Sequence, residues 1–414
     1  MEQRPKQREP AADAALHGDV LDAIVSRVSP LDLLPASRVS KAWRAAVLSS
    51  PRRPPPWFIL HHLGRPQVAA AFDPLSRAWR SLPCAHSYPS HRQGPQPQQV
   101  SSYMLSPGGG TRLCVLSLSA LALATDPFGS SWRELEPPRY SRTDPVVAVV
   151  GTRVVVAGGA SDLEDGENAV EVFDGGASGA WVSCEPMPEA FRWSESISSA
   201  AVGRRLYVLE KQSPFTLSWF DAESRRWGPA RGVHVPDPTV RHVAIGFANG
   251  RLLLAAAGGI GTGFGWRAES VRLWAVDEES LQVEEEVGSM PRPMVEELVG
   301  DWGWGLWSLG FLTEGRFAYV YNPSYPKDIF LCQLEEGGGC RWETVPRPAC
   351  MDERPTHRNT GIGFSFSLSW RWPQPMKQPF AGGGDRSEGI ISAGTMVKSA
   401  NNRYSSCRSS LPVH

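Results

Sequence analysis

The sequence predicts a small all-α unit followed by an all-β propeller of six blades, with an irregular C-terminal tail. Three observations predict it. Apolar residues recur at helical spacing only near the N-terminus. A unit of about fifty residues, marked by two independent motifs, then repeats along most of the chain. The 414 residues include 40 glycines and 36 prolines, an excess that favours tight turns over long helices.

The helical part comes first. Val20, Leu21, Ile24, Val25 and Val28 recur at steps of three and four, which puts them on one side of a helix. Ser29-Pro30-Leu31-Asp32 opens a second stretch: Ser can cap, Pro suits the first helical turn, and Asp stands three residues past the Ser. Leu31, Leu33, Leu34, Val39, Trp43 and Val47 follow, and Pro35 splits this stretch into two helices. So short a segment leaves too much surface to bury all these groups internally. Its apolar face must meet either the β region of the same chain or an outside partner. The expected layout is a disordered N-terminus over 1–15, the helical unit over 16–48, a Pro-rich linker over 49–56, the β repeats over 57–348, and the tail over 349–414.

Two rulers measure the repeat. The first is a turn glycine, then Arg, then an apolar run, at Arg112, Arg153, Arg205, Arg251 and Arg316. Glycine accepts positive φ freely, so this reads as a hairpin turn entering a strand. The second is an Asp followed six or seven residues later by Trp: Asp73 and Trp79, Asp126 and Trp132, Asp174 and Trp181, Asp221 and Trp227. Asp277 with Val283 is a degenerate copy, and Trp342 keeps the Trp without the Asp. Four short strands per unit match a propeller blade. Such a unit must pack against neighbours, and a ring removes the ends. The Trp is expected to wedge between blades. Before Trp79 there is no turn-Arg hairpin, so the first blade lacks one strand on its N-terminal side. Ile362–Trp370 alternates apolar and polar residues and could supply it; an unpaired tail is the other reading.

Composition excludes several function classes. Forty-two basic and 43 acidic residues leave a net charge of −1, which gives no reason to expect nucleic acid. Apolar residues at 41% allow a sizeable core. The seven cysteines (Cys84, Cys114, Cys184, Cys332, Cys340, Cys350, Cys407) form no CxxC pair, so reduced thiols in an intracellular protein are expected, with no metal. The N-terminal segment lacks the apolar run of a secretory signal. Leu113 to Ala124 is the longest apolar stretch, contains serines, and is too short for a span of ~20 residues. The expected location is cytoplasmic, nuclear or both, with no membrane partner.

Residues 16–47 resemble an F-box, through Leu16, Asp19, Val20, Leu21, Ile24, Val28, the LDLL segment from Leu31, Val39, Ser40 and Trp43. They depart from it at His17, where the family has Pro, and at Pro35. The repeat resembles kelch, with double glycines at Gly158-Gly159 and Gly258-Gly259; Glu210-Lys211 replaces the pair in one unit and His61-His62 in another. The combination is similar to plant-type F-box/kelch-repeat proteins. The resemblance implies that the helical unit binds a Skp-family adaptor and so joins a cullin–RING ubiquitin ligase. It also implies that the propeller captures the protein to be ubiquitinated, with no cofactor and no chemistry of its own. The adaptor contacts it implies are Leu16, Val20, Leu21, Ile24, Val28, Leu31, Leu34, Val39 and Trp43.

In a four-stranded blade the connections after strands two and four emerge on one face. These hold Tyr140 and Arg142, Asp162 to Asp165, Phe191-Arg192-Trp193, and Phe264 to Arg267. Aromatic and Arg side chains at such tips suit interfaces, so Tyr140, Arg142, Trp193, Trp266 and Arg267 are expected to contact the target; packing between adjacent loops is the competing reading. Trp302, Trp304 and Trp307 belong either to the wall or to a central pocket. Gly258–Gly265 (GGIGTGFG) fits neither phosphate-loop pattern and does not open a helix. His61-His62 would face opposite sides of a strand, and His234 with His242 makes no metal cluster. No GxSxG is present. A kelch scaffold outside any ligase, and a propeller enzyme, are the alternatives.

Overall fold

The computed structural model describes residues 18–28, 33, 36–37, 39–49, 58–62, 65–83, 100–105, 112–117, 121–124, 132–135, 138–140, 142, 145–159, 168–174, 180–191, 197–261, 266–300, 306–323, 328–348 and 362–365. The expected N-terminal stretch 1–15, the linker from 51 to 56 and the tail beyond 365 lie outside these residues. The chain divides into two compact units, residues 1–54 and 55–414.

In the first unit, α1 (Asp19–Val25) and α2 (Lys41–Ser49) pack together. Asp19 and Asp22 sit in the first turn of α1, where a carboxylate complements the helix dipole. Ser40 precedes α2, and its Oγ accepts the Trp43 N–H at 3.2 Å, an N-cap bond. Leu21, Val25, Leu33, Ala46 and Val47 form the small buried interior.

The second unit is a propeller-like arrangement of antiparallel sheets, six of them among the described residues. Sheet three shows the pattern: Val146–Val150, Arg153–Ala157, Val170–Asp174 and Trp181–Ser183 run in chain order. Sheet four holds Ile197–Val202, Arg205–Glu210, Thr216–Asp221 and Arg226–Trp227, with the short Arg231–Gly232 also pairing the third strand. Sheet five holds Val240–Ala248, Arg251–Ile260, Arg267–Val276 and Val283–Ser289. Sheet six holds Gly310–Glu314, Phe317–Tyr321, Asp328–Leu334 and Cys340–Pro346. A helix, α3 (Arg292–Val299), joins the last two. Sheet two spans Val100–Leu105 to Trp132–Leu135.

Both rulers have a backbone cause. Gly151, Gly203, Gly250 and Gly315 all have positive φ at the hairpin entering a second strand. The Asp of the other ruler closes the third strand and caps the next turn. Asp73 accepts the Leu75 N–H at 2.9 Å, Asp221 those of Glu223 and Ser224 at 2.9 and 2.8 Å, and Asp277 that of Ser280 at 2.7 Å. Four residues after each stands a left-handed residue: Arg77, Arg225 and Leu281, with φ of 56°, 60° and 59°. The chain then turns into the fourth strand, which carries Trp79, Trp132, Trp181, Trp227, Val283 or Trp342. The degenerate copy at Asp277 thus keeps the turn and loses only the ring.

The core lies between sheets. Tyr207, Leu217, Leu252 and Leu254 join sheets four and five, with Val283 packed against them. Phe220 and Val155 do the same for sheets three and four, with Trp227 at the edge. A side chain of this size contributes roughly 1.5–3 kcal/mol when fully buried. Sheet one, with Phe58–His62, Arg65–Asp73 and Ala78–Pro83, packs on sheet six: Phe58 and Phe72 meet Tyr319 and Leu331, with Trp79 against them. The Trp79 indole N–H donates to the Pro346 carbonyl at 2.8 Å, just as Trp227 donates to the Glu185 carbonyl at 3.0 Å. Sheet one therefore follows sheet six as sheet four follows sheet three, which is the junction a ring requires. The missing strand is present: Ile362–Ser365 pairs antiparallel with Phe58–His62, Ile59 opposite Ser365 and His62 opposite Ile362. Sheet one is completed from both ends of the chain, and the unpaired reading of this segment is set aside.

Candidate functional site

The apolar arc of α1 covers about 140° at 100° per residue, and it serves two surfaces. Leu21 and Val25, at one edge, are 2% and 0% exposed and fill the interior. Val20 and Ile24, at the other edge, continue to Val28 and face outward. With Asp19, Ala23 and Arg27 they line a shallow, mostly apolar depression of about 550 Å3. Val20 is 56% exposed, Ile24 and Val28 are half-buried. The single apolar side expected from periodicity is thus divided, and Leu21 is an interior residue. Val39 is 65% exposed and Trp43 half-buried. Leu16, Leu31 and Leu34 lie outside the described residues.

The expected target-facing residues separate more sharply. Arg142 is not at a free loop tip. Its side chain is 1% exposed and forms an ion pair with Glu171 at 2.9 Å, itself 1% exposed. The other guanidinium nitrogen donates to the Gly158 and Ala169 carbonyls at 2.6 and 2.8 Å. Glu171 also accepts the backbone N–H of Arg139 at 2.8 Å and of Tyr140 at 3.4 Å. A buried cation needs such a set of acceptors, so Arg142 ties the approach to sheet three onto the connection between its second and third strands. Tyr140, half-buried, lies beside that guanidinium, 5.8 Å from ring centre to Cζ. Trp266 is 7% exposed and meets His242 edge-on at 4.9 Å; Arg267 is exposed. Trp193, Trp302 and Trp304 are outside the described residues, and Trp307 is 45% exposed.

The double glycines have steric and conformational causes. Gly158 has φ +66°, and an added Cβ would stand 3.0 Å from the Met187 Sδ. A Cβ at Gly259 would stand 2.0 Å from the Arg267 carbonyl oxygen. In sheet four, Glu210-Lys211 replaces the pair: Glu210 accepts the Gln212 N–H at 3.0 Å, and Lys211 donates to Ser308 Oγ and to the Leu309 carbonyl at 2.5 and 3.0 Å. That cation reaches from sheet four to the segment entering sheet six. Beside it, burial, the Lys211 charge and Arg241 push His242 down to about 4, against a bond to the Leu306 backbone. Its partners come from segments far apart in the chain, so no local pattern marks the group. Among the described residues no three His, Cys, Asp or Glu side chains converge as a metal site. No described helix is long and apolar enough to cross a membrane.

A helical pair with an outward apolar stripe, joined in one chain to propeller-like sheets, defines a protein of two distinct units. Residues 16–54 match the F-box domain model. Over 383 aligned residues the chain is 34% identical to an F-box/kelch-repeat protein of Arabidopsis thaliana, covering 87% of this chain and 93% of the relative. The chain belongs to the F-box/kelch-repeat family.

Proposed function

We propose that this chain is the substrate-recognition subunit of a Skp–cullin–F-box ubiquitin ligase. Its F-box docks on the Skp-family adaptor and its propeller holds the protein to be ubiquitinated. The stripe of Val20, Ile24 and Val28 carries this reading: it is apolar, outward and unused by the helical interior. Covering it with an apolar partner surface releases water from each side chain. Leu16, Leu31, Leu34, Val39 and Trp43 extend the adaptor surface in this reading, with Leu21 supporting it from within. In this reading Tyr140, Trp193 and Arg267 contact the client, and the buried Trp266 does not. The chain transfers no group itself, and the expected location is the cytoplasm, the nucleus or both. A second reading, a scaffold that no longer engages the ligase, is favoured by His17 and Pro35, which depart from the family pattern.

Co-purification decides between them. The full chain is expected to co-elute with a Skp-family adaptor, and Val20→Asp or Ile24→Asp to abolish this while leaving the far-UV circular dichroism unchanged. Retained binding in both variants contradicts the adaptor assignment; no binding by the wild-type chain favours the scaffold.

A further inference from the structure

Cys332 and Cys340 stand on the third and fourth strands of sheet six, Asp328–Leu334 and Cys340–Pro346. The register pairs Cys332 with Trp342 and Leu334 with Cys340. The two cysteines are therefore diagonal neighbours, on the same face because side chains alternate with period two. The right-handed twist of a two-stranded ribbon shortens one diagonal at the expense of the other. Both side chains join the same cluster between sheets five and six, Cys332 wholly buried and Cys340 at its half-buried rim. Gly288, on the last strand of sheet five, makes room: a Cβ there would lie 2.0 Å from the Cys340 sulfur.

The two side chains are near enough to interact, with Cys332 the donor toward the Cys340 sulfur. That bond holds the Cys340 thiol below the ordinary range although burial opposes it, while the same bond and burial push Cys332 up. The two differ in the way an attacking and a resolving thiol differ: one is reachable and favours the thiolate, the other is enclosed and stays protonated. The intervening segment, residues 335–339, contains the Gly337-Gly338-Gly339 turn, so the strands can adjust at their closed end.

We propose that Cys332 and Cys340 form a peroxide-sensitive dithiol pair, a modification site on the last sheet of the propeller. In the first step the Cys340 thiolate attacks one oxygen of hydrogen peroxide, the O–O bond breaks, a sulfenic acid forms, and the departing hydroxide takes up the proton the thiol had released and leaves as water. In the second step the Cys332 sulfur attacks the sulfenic sulfur, its proton leaves with the displaced hydroxide as a second water, and the disulfide closes. Two thiols are oxidised and one peroxide is reduced. The bond links the third and fourth strands of the sheet whose outer strand also receives Trp79 through Pro346.

The sequence makes the test direct. Trypsin cuts after Lys327 and Arg341, so one peptide, 328–341, carries both cysteines and no others. The purified full chain is treated with hydrogen peroxide, alkylated without reductant and digested. The expected result is peptide 328–341 lighter by two hydrogens and unalkylated. Further cleavage after Glu335 or Glu336 should leave its halves joined until dithiothreitol separates them. In Cys332→Ser, Cys340 should progress to sulfinic acid with no crosslink. In Cys340→Ser, Cys332 should remain a thiol under the same dose. The proposal fails if both wild-type thiols stay alkylatable while other cysteines oxidise, or if Cys340 over-oxidises in wild type without the crosslink. The wild-type measurement stands whether or not either variant folds.

Discussion

Arg142 and Glu171 form an ion pair with both side chains almost wholly enclosed. Removing one member leaves the other charge without its counter-ion in a low-dielectric site. Arg142→Ala is expected to destabilise the propeller by about 3–5 kcal/mol, read as a lower midpoint in urea with the slope unchanged. A fall of under about 0.5 kcal/mol, the range of an ordinary surface substitution, would contradict the buried-tether role. His242 makes a second prediction. Its folded pKa, about 4, lies below the ordinary value of 6.5, so the unfolded chain binds the proton more readily. The stability it contributes is complete above pH 6.5 and is lost as the pH falls towards 4, by on the order of 3 kcal/mol in all. Chemical denaturation at pH 7.5 and pH 4.5 should show this loss, and His242→Phe should reduce it. At this scale the sequence was only partly legible. Arg142 reads as a loop-tip contact until Glu171, a strand away, supplies its partner. Leu21 and Val20 look equivalent by spacing, and only the position of α2 separates inner from outer.

Turns were far more legible, because their causes are local. The glycine at positive φ and the Asp that caps its own turn act within a few residues, so each recurs from unit to unit even where the Trp has become Val283. Strand pairings between distant segments carry no such local mark. The closing strand at Ile362–Ser365 showed only as alternation, and its partner became evident from register. An element-scale prediction follows from that pairing. Ending the chain at residue 361 would strip Phe58–His62 of one neighbour and leave an open sheet edge, a hazard for association. The truncated protein is expected to melt several degrees lower and to aggregate on heating, read by circular dichroism with light scattering. An unchanged melting temperature would show that the strand adds no stability to sheet one.

The molecule as a whole divides its work between two units whose interiors are built differently. The helical unit is too small to enclose all its apolar groups and leaves Val20, Ile24 and Val28 outward. The sheets enclose theirs between neighbours and present their connections instead. This division was visible in the change from helical to repeat texture along the chain, whereas the surroundings of the loop residues were not, because loop contacts depend on partners far apart in sequence. Hydrogen exchange on the full chain, with and without a Skp-family adaptor, tests the division most directly. Added adaptor is expected to slow exchange in residues 18–28 and to leave the strands of sheets three to six unaltered. Unchanged exchange across 18–28 with the adaptor bound, or protection falling on the sheets instead, would contradict it.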